Sequence, residues 1–295
     1  PPEYKSGSIS KRLVGFVDLG ATMLSLVGIK PPAFQQGKPF AGKHVTEKPA
    51  HSFGFRGRMD ERPDCSRTVT DGRFVYIRNF MPHLPHGQVL HYQMETQSTR
   101  IWRRLHKQGK LNKVQSAFWE RKAPEELYDI SKDLHETRNL AQDAKFRATL
   151  ISMRNALYQN LEKTFDVALL PEGLLHDLAK EHGLTPGDLA RDKSLYPIQR
   201  IRKASDILLD TTVDAERIVN MLRAKLPAQR YWAAHACLYL GEEVIHKHLE
   251  ALNSLLKDPS RSVQIAAAEA LATYPAGAKG GKEALEVLLA NADPT

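Results

Sequence analysis

The dipeptide Asp71-Gly72 constrains this chain more than any other feature. It lies between two arms, Ser66–Thr70 and Arg73–Asn79. Asp-Gly between such arms signals a two-residue hairpin of type I′, whose central residues both need positive φ. In the second arm Phe74, Tyr76 and Arg78 face one way, and Val75 and Ile77 the other. One face of the sheet therefore packs on a core while the other is half-solvated. Phe53 and Phe55, alternating with small residues, extend the β signal upstream. The run Glu126-Leu127-Tyr128, continued by Ile130, extends it downstream.

Helices flank this sheet. Leu13, Val14, Phe16 and Val17 form a near-continuous apolar run, as in a strand covered on both faces. Asp18 then reads as a helix N-cap. Leu19, Met23, Leu26 and Val27 follow at helical spacing, and Gly28 closes the helix. Residues 81–96 read as loop, Ser98–Lys107 and Lys113–Arg121 as short helices anchored by Trp102 and Phe118. Ser131-Lys132-Asp133 makes a turn, and Asp133, Glu136 and Thr137 open a helix that Asn139-Leu140-Ala141 leads into. Phe146, Leu150, Met153, Leu157 and Leu161 line one face of a long helix, and Pro171-Glu172-Gly173 ends that unit.

From about residue 174 the signal is helix only. Arg230–Leu238 aligns with Val263–Leu271 at an offset of 33 residues, and Leu222, Leu255 and Leu288 keep the same spacing. The stretch LLKDPSRSVQIAAAEAL resembles a HEAT-type repeat: a helix, an Asp-Pro turn, and a second helix. Ala266, Ala267 and Ala270 on that second helix would let neighbours approach closely.

A chain of 295 residues can build one large domain or two ordinary ones. The formal net charge of +8 favours anionic partners: nucleic acid, an anionic membrane surface or a sulfated polysaccharide. A merely solvated surface accounts for it equally. No nucleic-acid motif accompanies the charge, so nucleic acid is the weaker choice. No apolar run approaches the ~20 residues of a membrane span. Two cysteines, Cys65 and Cys237, fall in segments assigned to different domains and do not define a redox compartment. Both ends read as cut from a longer chain, so the lack of a targeting signal carries no information.

Two segments resemble the sulfatase family. Val17-Asp18-Leu19, Thr22, Leu24, Leu26, Gly28-Ile29, Pro32, Gln36-Gly37 and Phe40 are similar to its VDL-PT-L-L-GI-P-QG segment, with Ala21 where proline is usual. ELYDISKDLHETRNLA, within Glu125–Ala141, is similar to its ELYDL-DP-E-NLA segment, with Asp133-Leu134 where Asp-Pro is usual. The hairpin arm resembles the family's RYKYIRN strand. The resemblance implies an α+β fold: a small antiparallel sheet packed with helices, plus the last strand–helix unit of an α/β alkaline-phosphatase-like domain. An all-α HEAT-like solenoid follows. The expected boundaries are 1–45 for the α/β remnant, 46–173 for the α+β subdomain and 174–295 for the repeats.

The same resemblance implies a hydrolase of a sulfate ester or sulfamate on a sulfated sugar, with formylglycine as nucleophile and calcium as metal. It also implies a periplasmic or extracellular setting. The family makes formylglycine within C-x-P-x-R. Here Cys65-Ser66-Arg67-Thr68-Val69 lacks both the proline and the arginine, and Cys65 reads as a strand-edge residue. Calcium needs several oxygen ligands, and Asp18 alone does not supply them. The chain by itself is therefore expected to lack the nucleophile and the metal site and to be inactive.

Arg58, Asp60, Glu61 and Arg62 concentrate both charges just before the hairpin. Read plainly, they make a solvated turn with weak ion pairs. By resemblance, this stretch lies over the active-site mouth and binds sulfate, carboxylate or hydroxyl groups of the sugar. His83 and His86 could also reach a substrate. His83, His86 and His91 together match no common zinc spacing. The basic residues from Arg100 to Lys122 make either a solvated face or a hold on a polyanionic glycan. The competing reading of the whole chain is a non-catalytic scaffold, its repeats docking a protein or a polyanionic glycan.

Overall fold

The computed structural model describes residues 5, 7–58, 61–209, 215–275 and 278–290. In chain order the elements are α1 (Val17–Leu26), β1 (Ser52–Arg56), β2 (Ser66–Thr70), β3 (Phe74–Asn79), α2 (His91–Met94), α3 (Gln97–Lys107), α4 (Lys113–Ser116), β4 (Glu125–Asp129) and α5 (Arg147–Thr164). Nine α-helices follow among the described residues: α6 (Glu172–Glu181), α7 (Pro186–Arg191), α8 (Ile198–Ser205), α9 (Ala215–Leu222), α10 (Pro227–Leu240), α11 (Glu242–Lys247), α12 (Leu249–Leu255), α13 (Arg261–Thr273) and α14 (Ala278–Ala290). The fold is mixed α and β, with one small sheet and many helices. Two compact units divide it: Pro1–Phe55, Arg67–Arg78 and Glu125–Tyr158 form one, and Arg56–Ser66, Asn79–Pro124 and Gln159–Thr295 the other.

The first unit carries the sheet, whose strand order is β1-β2-β3-β4. β3 and β4 run antiparallel, with Tyr76 opposite Leu127 and Phe74 opposite Asp129. The alternation holds: Phe74 and Tyr76 are buried, while Val75 and Ile77 are half-buried. Val69, Phe74, Tyr76 and Leu127 pack with Leu150, Met153 and Leu157 of α5 into one core. The apolar stripe of that helix exists because the sheet needs a lid over its buried face.

The hairpin turn differs from the type I′ expectation. Asp71 pairs with Phe74, its N–H donating to the Phe74 carbonyl at 3.3 Å. The two-residue loop is therefore Gly72-Arg73, and Gly72 alone has positive φ, +94°. That sign pattern belongs to a type II′ turn, with glycine in the first central position. The Asp71 carboxylate accepts from the Arg73 and Phe74 N–H groups, at 2.8 and 2.7 Å.

Three more local expectations change. Residues 13–16 form no strand, and Phe16, not Asp18, is the N-cap of α1. Asp18 instead accepts from the Gly15 and Lys38 backbone N–H groups, at 2.9 and 2.7 Å. The buried face of α1 is Ala21, Thr22 and Ser25, leaving Met23 and Val27 exposed. Its C-terminus is as expected. Gly28 has φ +82°, and the Gly28 and Ile29 N–H groups donate to the Ser25 and Leu24 carbonyls, a Schellman pair. Strand β1 is present, but Phe53 and Phe55 point outward. Finally, 133–143 is a series of turns; a short 3-10 turn capped by Asp143 precedes α5. Asn139 explains the delay. Its side chain bonds the Leu127 N–H and the Glu125 carbonyl, which holds the segment along β4 instead of coiling it.

In the second unit no strand follows β4 among the described residues. Trp102 of α3 stacks on Phe118 at 4.7 Å, with Trp119 edge-on, so the two expected anchors meet. Downstream, α9 packs on α10 and α12, α10 on α13, and α12 on α13. Ala266, Ala267 and Ala270 are fully buried where α13 meets its neighbours. Arg230 at the start of α10 holds Asp258, in the turn before α13, through two bonds of 2.6 and 2.9 Å. No described helix is long and apolar enough to cross a membrane.

Asp129 gives the first unit an acid limb. Its carboxyl is held down to about 2, first by the hydrogen bond from Arg73 and then by Ser131. The folded pKa lies below the unfolded one, so this stabilisation is complete above pH ~4 and fades as pH falls through that range towards 2. Asp129→Asn is expected to remove that part of the acid-induced loss of stability, measured as urea midpoints between pH 4.5 and 2.5. An unchanged pH slope would contradict it.

Candidate functional site

The expected site residues hang from a buried charge. Asp64 and Lys122 both have completely buried side chains, and the Lys122 ammonium donates to both Asp64 oxygens at 2.6 and 2.7 Å. Arg56 lies 3.1 Å from the same carboxylate, and the Cys65 N–H donates to it at 2.8 Å. Burial pushes the Lys122 pKa down while Asp64 pushes it back up. Two charges this deep persist only because each satisfies the other.

From this anchor the loop runs outward. Arg58 pairs with Glu172 at 3.1 Å, both exposed. Glu61 accepts the His91 N–H at 2.7 Å, at the first residue of α2. Arg62 donates to the Val89 carbonyl at 2.8 Å. Gln88 donates to the Pro63 carbonyl at 2.8 Å, and Arg56 to the His86 carbonyl at 3.0 Å. Asp60 lies outside the described residues. The structure thus clamps 61–63 against 86–91 and brings Glu61, Arg62 and His86 into one neighbourhood. Glu61, Leu90, His91 and Tyr92 line a shallow open depression there. Tyr92 is 76% exposed, so an aromatic face stands beside a carboxylate.

His83 goes elsewhere. It is buried and stacks on His235 of α10, ring centroids 4.8 Å apart. Glu269 of α13 faces the same spot, and the three ligand-type atoms lie within 4.8 Å of one another. Burial, then the neighbouring His235, Lys122 and Arg121 charges, hold His83 at about 2. Burial alone holds His235 at about 4 and raises Glu269. His235 and Glu269 were invisible to sequence reasoning, since nothing local links them to His83. Their only signal was position on the two aligned helices.

The basic stretch divides. Lys122 is committed to Asp64, and Arg121 donates to the Tyr274 hydroxyl at 2.9 Å. Arg100, Arg104, Lys107, Lys110 and Lys113 remain exposed. Cys65 is buried, its thiol directed to the Ala168 carbonyl at 3.3 Å, and Cys237 is buried with its thiol pushed up to about 12. Both are free thiols. Calcium, a hard cation that takes six to eight oxygens, finds no fitting set among the described residues. Both Asp18 oxygens are engaged by backbone N–H groups, and the clustered His83, His235 and Glu269 are mostly nitrogen donors.

No family model matches the chain. A curated relative, the ulvan-active sulfatase of Formosa agariphila, is 32% identical over 176 residues, which are 59% of this chain and 30% of the relative. The matched part of the chain thus spans under a third of that protein's length. Among solved structures, a 2-O GAG sulfatase aligns with 21% identity and a TM-score of 0.34, over 50% of this chain and 25% of its own. A protein solved with its substrate D-glucosamine-2-N,6-O-disulfate aligns with 12% identity and a TM-score of 0.31, over 49% of this chain and 23% of its own. By sequence, the chain is thus similar to the ulvan-active sulfatase over 59% of its length.

The clamp makes a stability prediction. Asp64→Ala leaves Lys122 buried without its counter-ion and is expected to cost ~3–5 kcal/mol. Replacing both, Asp64→Leu with Lys122→Met, is expected to recover most of that loss. Urea unfolding of the single and double variants checks it, and a single variant of wild-type stability would contradict the clamp.

Proposed function

We propose that the chain is the C-terminal part of a sulfatase-like hydrolase acting on a sulfate ester or sulfamate, in a sulfated sugar. The observation that carries this reading is the sequence similarity to the ulvan-active sulfatase, together with two matching segments in the family's order around a β-hairpin. In this reading 1–45 closes an α/β catalytic domain, 46–173 is the α+β subdomain, and 174–295 is a HEAT-like extension. The formylglycine nucleophile and the calcium ligands belong to residues upstream of Pro1. The protein works in the periplasm or outside the cell, where sulfated polysaccharides are met.

Within the chain, Arg58, Asp60, Glu61 and Arg62 are assigned to sugar recognition, with His86 beside them. Arg62 and Arg58 suit sulfate or carboxylate groups, Glu61 suits hydroxyls, and the exposed Tyr92 offers a stacking face. The clamp supports this assignment by giving the loop a rigid base. His83 is removed from this role because its ring is buried. A second reading, a scaffold that docks a protein or glycan, is favoured by the packing of α9 on α12 and α10 on α13. That arrangement suits stacked helix pairs with a shared surface.

Two outcomes are expected. Replacing Asp60, Glu61 and Arg62 together by Ala in the complete enzyme is expected to lower kcat/KM on its natural sulfated sugar by about tenfold or more, roughly the 1.4 kcal/mol of one charged hydrogen bond. Unchanged kcat/KM would remove these residues from recognition. The purified 295-residue chain alone is expected to release no sulfate from sulfated polysaccharides, measured by ion chromatography. Sulfate release by this chain would overturn the placement of the nucleophile upstream.

A further inference from the structure

Among the described residues of the second unit, a stacked pair of histidines buries titratable rings that the charged loop does not use. His83 and His235 are 8% and 3% exposed. All four of their ring nitrogens lack a hydrogen-bond partner among the described residues. A neutral imidazole carries one N–H donor and one bare acceptor nitrogen, so both rings bury polar atoms whose water has been stripped and not replaced. The Glu269 carboxylate, half-buried on the adjacent helix, likewise makes no ion pair or side-chain hydrogen bond among the described residues and faces the same point.

We infer that His83, His235 and Glu269 form a binding site for a divalent transition metal of the zinc class. Two imidazoles and a carboxylate are a borderline donor set that suits zinc and disfavours calcium or magnesium. A zinc ion with bonds of ~2.1 Å holds tetrahedral ligand atoms about 3.4 Å apart. The three present atoms lie within 4.8 Å of one another. Glu269 is the least buried of the three, so its side chain supplies most of the closing movement. Lys122 is already neutralised by Asp64 at 2.6 Å, which limits the repulsion a cation meets. Three protein ligands leave a fourth position for water.

The elements explain why the site forms here. α10 and α13 align at the 33-residue repeat offset. At that offset His235 corresponds to Ala268 and Glu269 to Ala236, so each helix offers one ligand where the other offers a small residue. That places two ligands on packed helices without crowding. His83 then comes from the loop after β3, between buried Met81 and His86, whose carbonyl accepts from the Arg56 guanidinium. The bound ion would join that loop to both helices.

The test uses the untagged 295-residue chain, stripped with a chelator, and zinc ion alone as the probe. One zinc per chain is expected by calorimetry and elemental analysis, with a rise in unfolding temperature on zinc addition. Glu269→Gln, a change of shape-matched polarity at the half-buried ligand, is expected to weaken binding at least about tenfold, as loss of even an outer-shell group commonly does. His235→Phe, which keeps the stacked ring, is expected to abolish it. Cobalt is expected to give the visible absorption of a tetrahedral site in the wild type and not in His235→Phe. The exposed His182→Ala is expected to leave zinc uptake unchanged. The inference fails if the stripped chain takes up no stoichiometric zinc. It also fails if binding is unchanged in both Glu269→Gln and His235→Phe, or if calcium binds as tightly as zinc.

Discussion

The ion pair between Asp64 and Lys122 is the interaction on which the candidate site depends. Both side chains are completely buried, at 2.6 Å, in a place where neither charge could stand alone. A pair of this kind contributes less to net stability than to specificity, because its desolvation cancels much of its attraction. Its effect is to allow one arrangement of the surrounding loops. Arg56 and the Cys65 N–H complete the carboxylate's shell. On the near side of that carboxylate, Glu61 accepts the His91 N–H and Arg62 donates to the Val89 carbonyl, which fixes where these two residues stand. The neighbouring 79–90 loop is fastened to the same base. Phe80 donates to the Cys65 carbonyl at 2.9 Å, and the Ser66 hydroxyl bonds Asn79 at 2.7 Å.

Much of the sheet was legible in the sequence, because a period of two with one buried face leaves a clear mark. β2, β3, β4 and the α5 stripe all stand where that pattern puts them. The turn type departs from the type I′ pattern for a specific reason. The Asp71 carboxylate caps the Arg73 and Phe74 N–H groups, and only Gly72 takes positive φ. The α1 region shows the opposite failure. Its large apolar residues lie on the exposed side, and the small polar Thr22 and Ser25 are buried because their hydroxyls bond backbone groups. Hydropathy alone reads such a helix inside out. The expected helix start near 133–141 lost to Asn139, whose side chain competes successfully for the backbone of β4.

The site was legible in part. A charged loop before a hairpin marks a place worth attention, but the Asp64–Lys122 pair leaves no mark, since Lys122 lies 58 positions from Asp64 at the end of a basic run that reads as a solvated face or a hold on a polyanionic glycan. His83 illustrates the same limit. As a sequence it is one of three loop histidines with unremarkable spacing, and only the fold puts it against His235 and Glu269. Long-range polar pairs leave no periodicity. The 33-residue spacing does point to the relation between α10 and α13, which pack on each other with buried Ala266, Ala267 and Ala270.

In the proposed reading the chemistry lies outside this chain, and sugar recognition and a helical extension lie inside it. The coding sequence immediately upstream of Pro1, read from the source genome, tests that division most directly. The account predicts one continuous reading frame carrying a C-x-P-x-R segment together with the acidic pairs of a calcium site. A frame that begins close to Pro1, or an upstream region without that segment, would contradict it.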